Sequence, residues 1–285
     1  MIRLFFKIAL LIPLLTVGLC NCVDLKHVSD FSSSSLESIR KFEEIGYSFK
    51  QNCLDDCRDK KINDLDMISQ ECNCKANEMA DSVNLLIYNA VKGYLDGLTN
   101  LSNNNRTNYK LDALTKALTD IDLSSVRIEK AQIEAYSKIS GILLRALTDK
   151  YRRHKIKEYV KSGNEPFNVL ISFLDFNLSA NLAGKLKVQK LGILDYYFDL
   201  TKEIKLSTFE KRKAAEEYYR RLDNIEDKQN ELRTYSKVLK KIAIGHQKLA
   251  DNIDSISKDE IKRQLIQFAS DIKDLISEFN KISKS

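Results

Sequence analysis

Apolar residues return at spacings of three and four from Ser34 to the C-terminus, the repeat of helices that bury one stripe. The pattern predicts a first helix over about 36–57 and a second over about 66–98. The stripe of the second is Met79, Val83, Leu86, Ala90, Tyr94 and Leu98. A polar loop, TNLSNNNRTN over 99–108, and a short helix over about 109–119 follow. Ser124 or Ser125 is placed to cap a helix running to about Ser162 on Ile128, Ala131, Ala135, Ile139, Ile142 and Ala146. Gly163 reads as the residue that ends it, and Asn164 with Pro166 as the start of the next. That next helix, about 165–202, is the most apolar, with Phe167, Leu170, Leu174, Leu182, Ile193 and Leu200 among others around most of its circumference. Such a helix is expected at a centre, touched from several sides. Ser207 or Thr208 caps a long helix reaching about Asn252, and its seam admits three polar residues, Gln229, Ser236 and His246. In the last helix Ser257 and Glu260 fit a capping box and Ile256 and Ile261 its staple, followed by a heptad from Ile261 to Ile282.

Composition narrows the fold. Among 285 residues there are two prolines, nine glycines and no tryptophan, where an average chain of this length carries about 14 Pro and about 20 Gly. Sheets and barrels need that punctuation, while 43% apolar residues are enough for a core. Helices of about 35 to 45 residues would each be about 50 to 70 Å long, and the short connectors between them force antiparallel neighbours. The expectation is all-α: one elongated antiparallel bundle of long helices with coiled-coil-like packing over 36–285.

The N-terminus changes the compartment. Arg3 and Lys7 precede an apolar run, Ile8 to Leu19, too short to span a bilayer and placed as an export signal, giving 1–21 as signal peptide. Thr16 and Gly18 suit an ordinary cleavage site, whereas Leu19-Cys20-Asn21-Cys22 resembles a lipobox that would leave Cys22 lipidated. The polar stretch 22–35, with Ser32 to Ser35 in a row, reads as a tether. Four cysteines then remain, Cys53, Cys57, Cys72 and Cys74, an even number that in an exported chain implies two disulfides. Cys53 and Cys57 share a helix face, and Arg58 to Glu71 is long enough to fold back. A nested pairing, Cys57–Cys72 inside Cys53–Cys74, would staple an N-terminal antiparallel hairpin; a crossed pairing is left open by the sequence, and a four-cysteine zinc site is the rival chemistry.

Catalytic and ligand-binding patterns are sparse. The three histidines, His27, His154 and His246, are dispersed, and no nucleotide, hydrolase, metalloprotease or di-iron motif occurs. The expectation is therefore no enzyme, no cofactor and no metal, with His246, Gln229 and Ser236 read as polar layers that set helix register. The basic run Lys150 to Lys161 carries Tyr151 and Tyr159 between its charges, but it closes a predicted helix where cations favour the dipole. Losing Arg3 and Lys7 also lowers the formal charge of +6 by two, and nucleic acid is not expected as a partner. The stretch 167–178, FNVLISFLDFNL, is the most membrane-like of the mature chain, yet it is short and interrupted by Asp175. The sequons at Asn100, Asn105 and Asn177 would matter only in a eukaryotic secretory pathway.

The strings AIGHQKLADN (Ala243 to Asn252) and QFASDIKDLISEF (Gln267 to Phe279), with IDLSSVRIEKAQIEAYSKI (Ile121 to Ile139), carry a resemblance. The C-terminal half is similar to exported helical proteins of unknown function from Bacteroidetes-type bacteria. That resemblance implies a bacterial, extracytoplasmic setting, periplasmic or outer-membrane-anchored, with secretion as the alternative; it brings no activity. The function expected is an envelope-associated scaffold or binding module with a protein partner, tethered through Cys22 or soluble, and able to form a homo-oligomer. The alternative is a membrane-active protein that exposes the 167–178 helix.

Overall fold

The computed structural model describes residues 25–66, 68, 71–103, 129–148 and 155–282. Among them the chain forms eight α-helices and no strand. They are α1 (Lys26–Ile39), α2 (Phe49–Asn63), α3 (Lys75–Ser102), α4 (Lys130–Thr148), α5 (Ile156–Asp175), α6 (Ala183–Lys202), α7 (Thr208–Asn252) and α8 (Asp259–Ile282). Short 3₁₀ segments follow α1 and α7, and a π-helical segment, Phe176–Leu182, joins α5 to α6. The bundle body consists of α1, α3, α4, α5, α8 and the second half of α7, while α6 packs on the first half of α7.

The segment expected as a tether is instead α1, packed against α3, α7 and α8. Val28, Phe31 and Ile39 are fully buried, and so are Ser32 and Ser35. A serine run reads as solvated because its hydroxyls are polar, but inside a helix they bond backward. Ser32 Oγ donates to the Val28 carbonyl at 2.8 Å, and Ser38 Oγ to that of Ser34 at 2.7 Å. What remains is a small side chain that lets helices approach. Thr99 Oγ1 donates to Ser32 Oγ at 3.0 Å and Ser29 Oγ to Asn103 Oδ1 at 2.7 Å, tying α1 to the end of α3.

The turn expected at Gly163–Asn164 is absent, for α5 runs through Gly163, Asn164 and Pro166. Gly163 is there for proximity: a Cβ would stand 2.5 Å from Tyr94 Oη. Gly245 is similar, since a Cβ would lie 2.4 Å from the buried Phe31 ring. These contacts also orient the helices. Phe31 faces Gly245, and Tyr235 Oη donates to the Ile39 carbonyl at 2.9 Å, so α1 runs antiparallel to α7. The N-terminal end of α1 therefore lies beside the C-terminal end of α7.

Local caps match expectation at one helix and miss at another. Ser207, not Thr208, caps α7, and with Glu210 it forms a full capping box. The box expected at Ser257 and Glu260 needs a start one residue earlier than Asp259, where α8 begins. The helix expected over 109–119 lies outside the described residues, as do 1–24.

The disulfides are nested, Cys53–Cys74 and Cys57–Cys72, joining α2 to the segment that leads into α3. The α2 N-terminus is held twice: Ser48 Oγ accepts from Gln51 N at 3.1 Å, and Asp81 of α3 accepts from the Phe49 and Lys50 amides, both at 2.9 Å. Two disulfides in so short a hairpin mark a chain folded in an oxidising, extracytoplasmic environment.

Candidate functional site

The polar seam of α7 meets α5, the π segment and α6 at three levels. At the first, Gln229 Nε2 donates to the Ala183 carbonyl at 3.4 Å. At the second, Ser236 Oγ donates to Asp175 Oδ1, whose other oxygen lies 3.5 Å from Lys240 Nζ. At the third, His246 is fully buried between α3 and α5. The Tyr94 hydroxyl lies 2.9 Å from its Nε2, and Asn164 Oδ1 lies 2.9 Å from its Nδ1.

The hydrogen-bonding capacities assign the tautomer. An amide oxygen only accepts, so Nδ1 carries the proton and donates to Asn164, leaving Nε2 to accept from Tyr94. Burial holds the imidazole pKa down at about 3, and the ring is neutral. Phe167 packs against it with the rings tilted by 35°, 4.5 Å between centroids. The amide network continues outward, Asn164 Nδ2 and Asn168 Nδ2 both donating to Gln247 Oε1, at 2.7 and 3.3 Å, and Gln247 to Asp251. This layer consists of a phenol, an imidazole and amides, with Asp251 at its outer end. Both ring nitrogens are engaged, and the arrangement fixes the register of three helices.

The remaining sequence candidates are dispersed. His27 lies in α1, while His154 and Cys22 fall outside the described residues. In the basic run, the described part opens α5 rather than closing a helix. Lys161 Nζ there lies 2.5 Å from Asp254 Oδ2, Lys157 also faces that carboxylate, and Tyr159 is buried. In the membrane-like stretch Phe167, Leu170, Ile171, Leu174 and Leu178 are all core residues. Among the described residues no helix is long and apolar enough to cross a membrane, and no group of three His, Cys, Asp or Glu could hold a metal ion. Two of the sequon asparagines are engaged, Asn100 Nδ2 with Asp96 and Asn177 Nδ2 with Asn84 Oδ1 at 3.0 Å; Asn105 is outside the described residues.

The π segment separates two regions of unlike surface. Its extra residue per turn shifts the phase between α5 and α6, and beyond it only Leu186 and Ile193 of α6 are buried. The outward face carries Val188, Leu191, Leu194 and Phe198, between 43% and 69% exposed. At the turn and the start of α7, Ile204 is 92% and Phe209 69% exposed. The apolar circumference of α6 was legible in the sequence as a central helix. The structure covers one side of it and leaves the other open.

Alongside this hairpin lies α2, fixed by charge. Asp59 pairs with Arg221 and accepts from Gln189, Asp55 faces Lys228 at 3.9 Å, and the Lys228 ammonium sits 4.4 Å from the Tyr47 ring. A groove of about 730 Å³ between α2, α3, the π segment and α6 is lined by Asn52, Asn77, Asn177, Asn181, Lys185 and Val188. The charged clamp is not legible in the sequence, because its ion-pair partners are more than 150 residues apart along the chain.

No family model, curated protein or solved structure matches this chain.

Proposed function

We propose that the chain is a non-enzymatic, extracytoplasmic helical-bundle protein that acts as a scaffold and binding module of the bacterial envelope. Its working surface is the α6–α7 hairpin. The observation that carries this reading is the polarity of the molecule. The N-terminal end of α1 sits beside the C-terminal end of α7, whereas the apolar hairpin turn sits at the other end of that helix. At 1.5 Å per residue the 45 residues of α7 separate the two by about 67 Å.

A chain held at its N-terminus, through Cys22 or otherwise, then presents the hairpin at the far end of a rod. Behind it lies the helical body, and α2 with its two disulfides braces the base of the hairpin. Exposed aliphatic and aromatic residues at the far end are the surface a protein partner would cover.

The test is photo-crosslinking in the native cell, with a crosslinking residue placed at Ile204 or Phe209 and, as control, at Lys258 near the opposite end. Adducts from the hairpin positions alone are expected. Adducts from Lys258 alone, or from neither end, overturn the reading. Intact mass of the mature chain reports acylation of Cys22 in the same material.

A further inference from the structure

We propose that the face of the molecule around the π segment binds a neutral oligosaccharide. The site is separate from the hairpin surface and goes beyond the function proposed for it.

Two open grooves meet at this segment. One, of about 730 Å³, lies between α2, α3, the π segment and α6. The other, of about 890 Å³, is lined by α5, the start of α4 and Gln247 of α7. Asn177 and Asn181 belong to both. The chain is 30% charged, yet carboxamides lead the lining, with Gln132, Asn168 and Gln247 in the larger groove and Asn77 and Gln189 in the smaller. Lys185 is the one cation among the residues that line them, against the carboxylates of Asp56, Glu129 and Glu165. That balance disfavours a phosphate or carboxylate ligand and leaves recognition to neutral hydrogen bonds.

The amides are held by their donor ends. Asn181 Nδ2 donates to Asn177 Oδ1 at 2.9 Å, and Asn177 Nδ2 to Asn84 Oδ1 at 3.0 Å. Asn168 Nδ2 is shared between Asn164 Oδ1 and Gln247 Oε1, at 3.1 and 3.3 Å. Among the described residues the side-chain oxygens of Asn168 and Asn181 accept nothing, and the buried Gln132 Oε1 has no partner. A buried amide oxygen without a donor is costly, and turning the terminal amide of Gln132 toward the groove would give it a ligand hydroxyl. Amides fixed on one side and free on the other are oriented before a ligand arrives, which lowers the entropy cost of binding.

Phe176 adds the apolar half of the site. It lines the larger groove at 59% exposure, with the partly buried Phe173 one turn earlier. An exposed ring among amides suits a pyranose. The C–H face of the sugar packs on the ring, while its hydroxyls, each able to donate and accept, meet the amides. An extended peptide would ask for pockets that take alternate side chains, but the smaller groove is lined by Ala76, Ala80, Ala180 and Gly184 between its polar groups. The π form of Phe176–Leu182, where the two grooves join, is itself a geometry common at functional sites.

A glycan array of neutral hexose and N-acetylhexosamine oligomers, probed with the full mature chain, tests this, with calorimetry on the oligomers that bind. Saturable binding is expected. Phe176→Ser and Asn181→Ala should each weaken it about tenfold. A Cβ at Gly184 meets open space, so Gly184→Phe should fill the smaller groove and weaken binding at least as much. All three variants should keep the helicity and melting temperature of the wild type, and Phe198→Ser, on the hairpin, should keep its affinity. An array with no neutral glycan bound, or binding indifferent to the Phe176 and Gly184 changes, overturns the inference. So does loss of binding through Phe198→Ser alone, or binding of heparin oligosaccharides, spermidine or an unfolded peptide in place of neutral glycans. If the glycan site fails while hairpin crosslinks still form, the binding-module reading stands without it.

Discussion

Phe31 and Phe209 are the same side chain in two regions built on different terms. Phe31 is wholly buried where α1 meets α7, so close that only a glycine fits opposite. Phe209 is 69% exposed on the hairpin, with the Lys213 ammonium 5.9 Å from its ring. The body packs the core of its apolar surface behind small residues and buried hydroxyls, whereas the hairpin leaves Val188, Leu191, Phe198, Ile204 and Phe209 more than half exposed. The contrast teaches that an apolar helical stripe has two uses, and that the number of neighbouring helices decides between them.

The sharpest way to test the contrast is to truncate both rings. Phe31→Ala should lower the unfolding free energy by about 3–5 kcal/mol, through lost burial and the cavity left behind. Phe209→Ala should change it by less than about 0.5 kcal/mol. Urea denaturation at dilute concentration measures both, and equal losses would break the division into body and hairpin.

The brace between the regions comes next. Removing Cys57 and Cys72 together, as serines, leaves the loop closed by Cys53–Cys74 alone and should cost about 2 kcal/mol. The loss should appear in proteolysis as cleavage between α2 and α3 before the body opens.

The buried imidazole gives the body a pH dependence that the hairpin lacks. The folded pKa of His246 is about 3, below the ordinary 6.5, so the unfolded chain takes up a proton the folded chain refuses. Its contribution is therefore complete above pH 6.5 and is lost as pH falls from there toward 3, at up to about 1.4 kcal/mol per pH unit. Between pH 6.5 and 5 the wild type should lose about 2 kcal/mol more than His246→Gln. Glu43, held below the ordinary carboxylate range by Lys92 and Tyr88, loses its contribution only at lower pH. A guanidinium series at both pH values reads the difference.

Glycines give the smallest and most specific comparison. Gly245→Ala should destabilise by about 1–3 kcal/mol, because the added methyl meets a ring that cannot move aside. Gly192→Ala, on the open face of α6, meets nothing and should stabilise by about 0.5–1 kcal/mol. Opposite signs in paired thermal melts are the expected result.

Much of the architecture was legible because it is local. The stripe from Met79 to Leu98, the cap at Ser207 and the heptad after Ile261 lie within a few residues of what they organise. The polar seam was legible too, since Gln229, Ser236 and His246 interrupt an apolar repeat. Their partners Ala183, Asp175, Asn164 and Tyr94 were not, because no local spacing relates them to α7. The serines of α1 and the pair Gly163 and Pro166 depart from the sequence expectation for one reason: that expectation rests on each residue's preference in an isolated chain. Buried between helices, a serine is a small residue and a glycine is clearance.

By itself the sequence determined that this chain is helical, that four cysteines act together, as two disulfides or a zinc site, and that the stretch 165–202 is apolar around most of its circumference. Helix propensity, capping and periodicity act over a turn or two, so composition and spacing carry them. Only the tertiary structure decided that the serine run is core, that α5 continues through Pro166, and that one face of α6 stays bare. Those outcomes depend on which distant helix arrives opposite each residue, as Tyr94 does at Gly163 and Phe31 at Gly245, and on where none arrives at all.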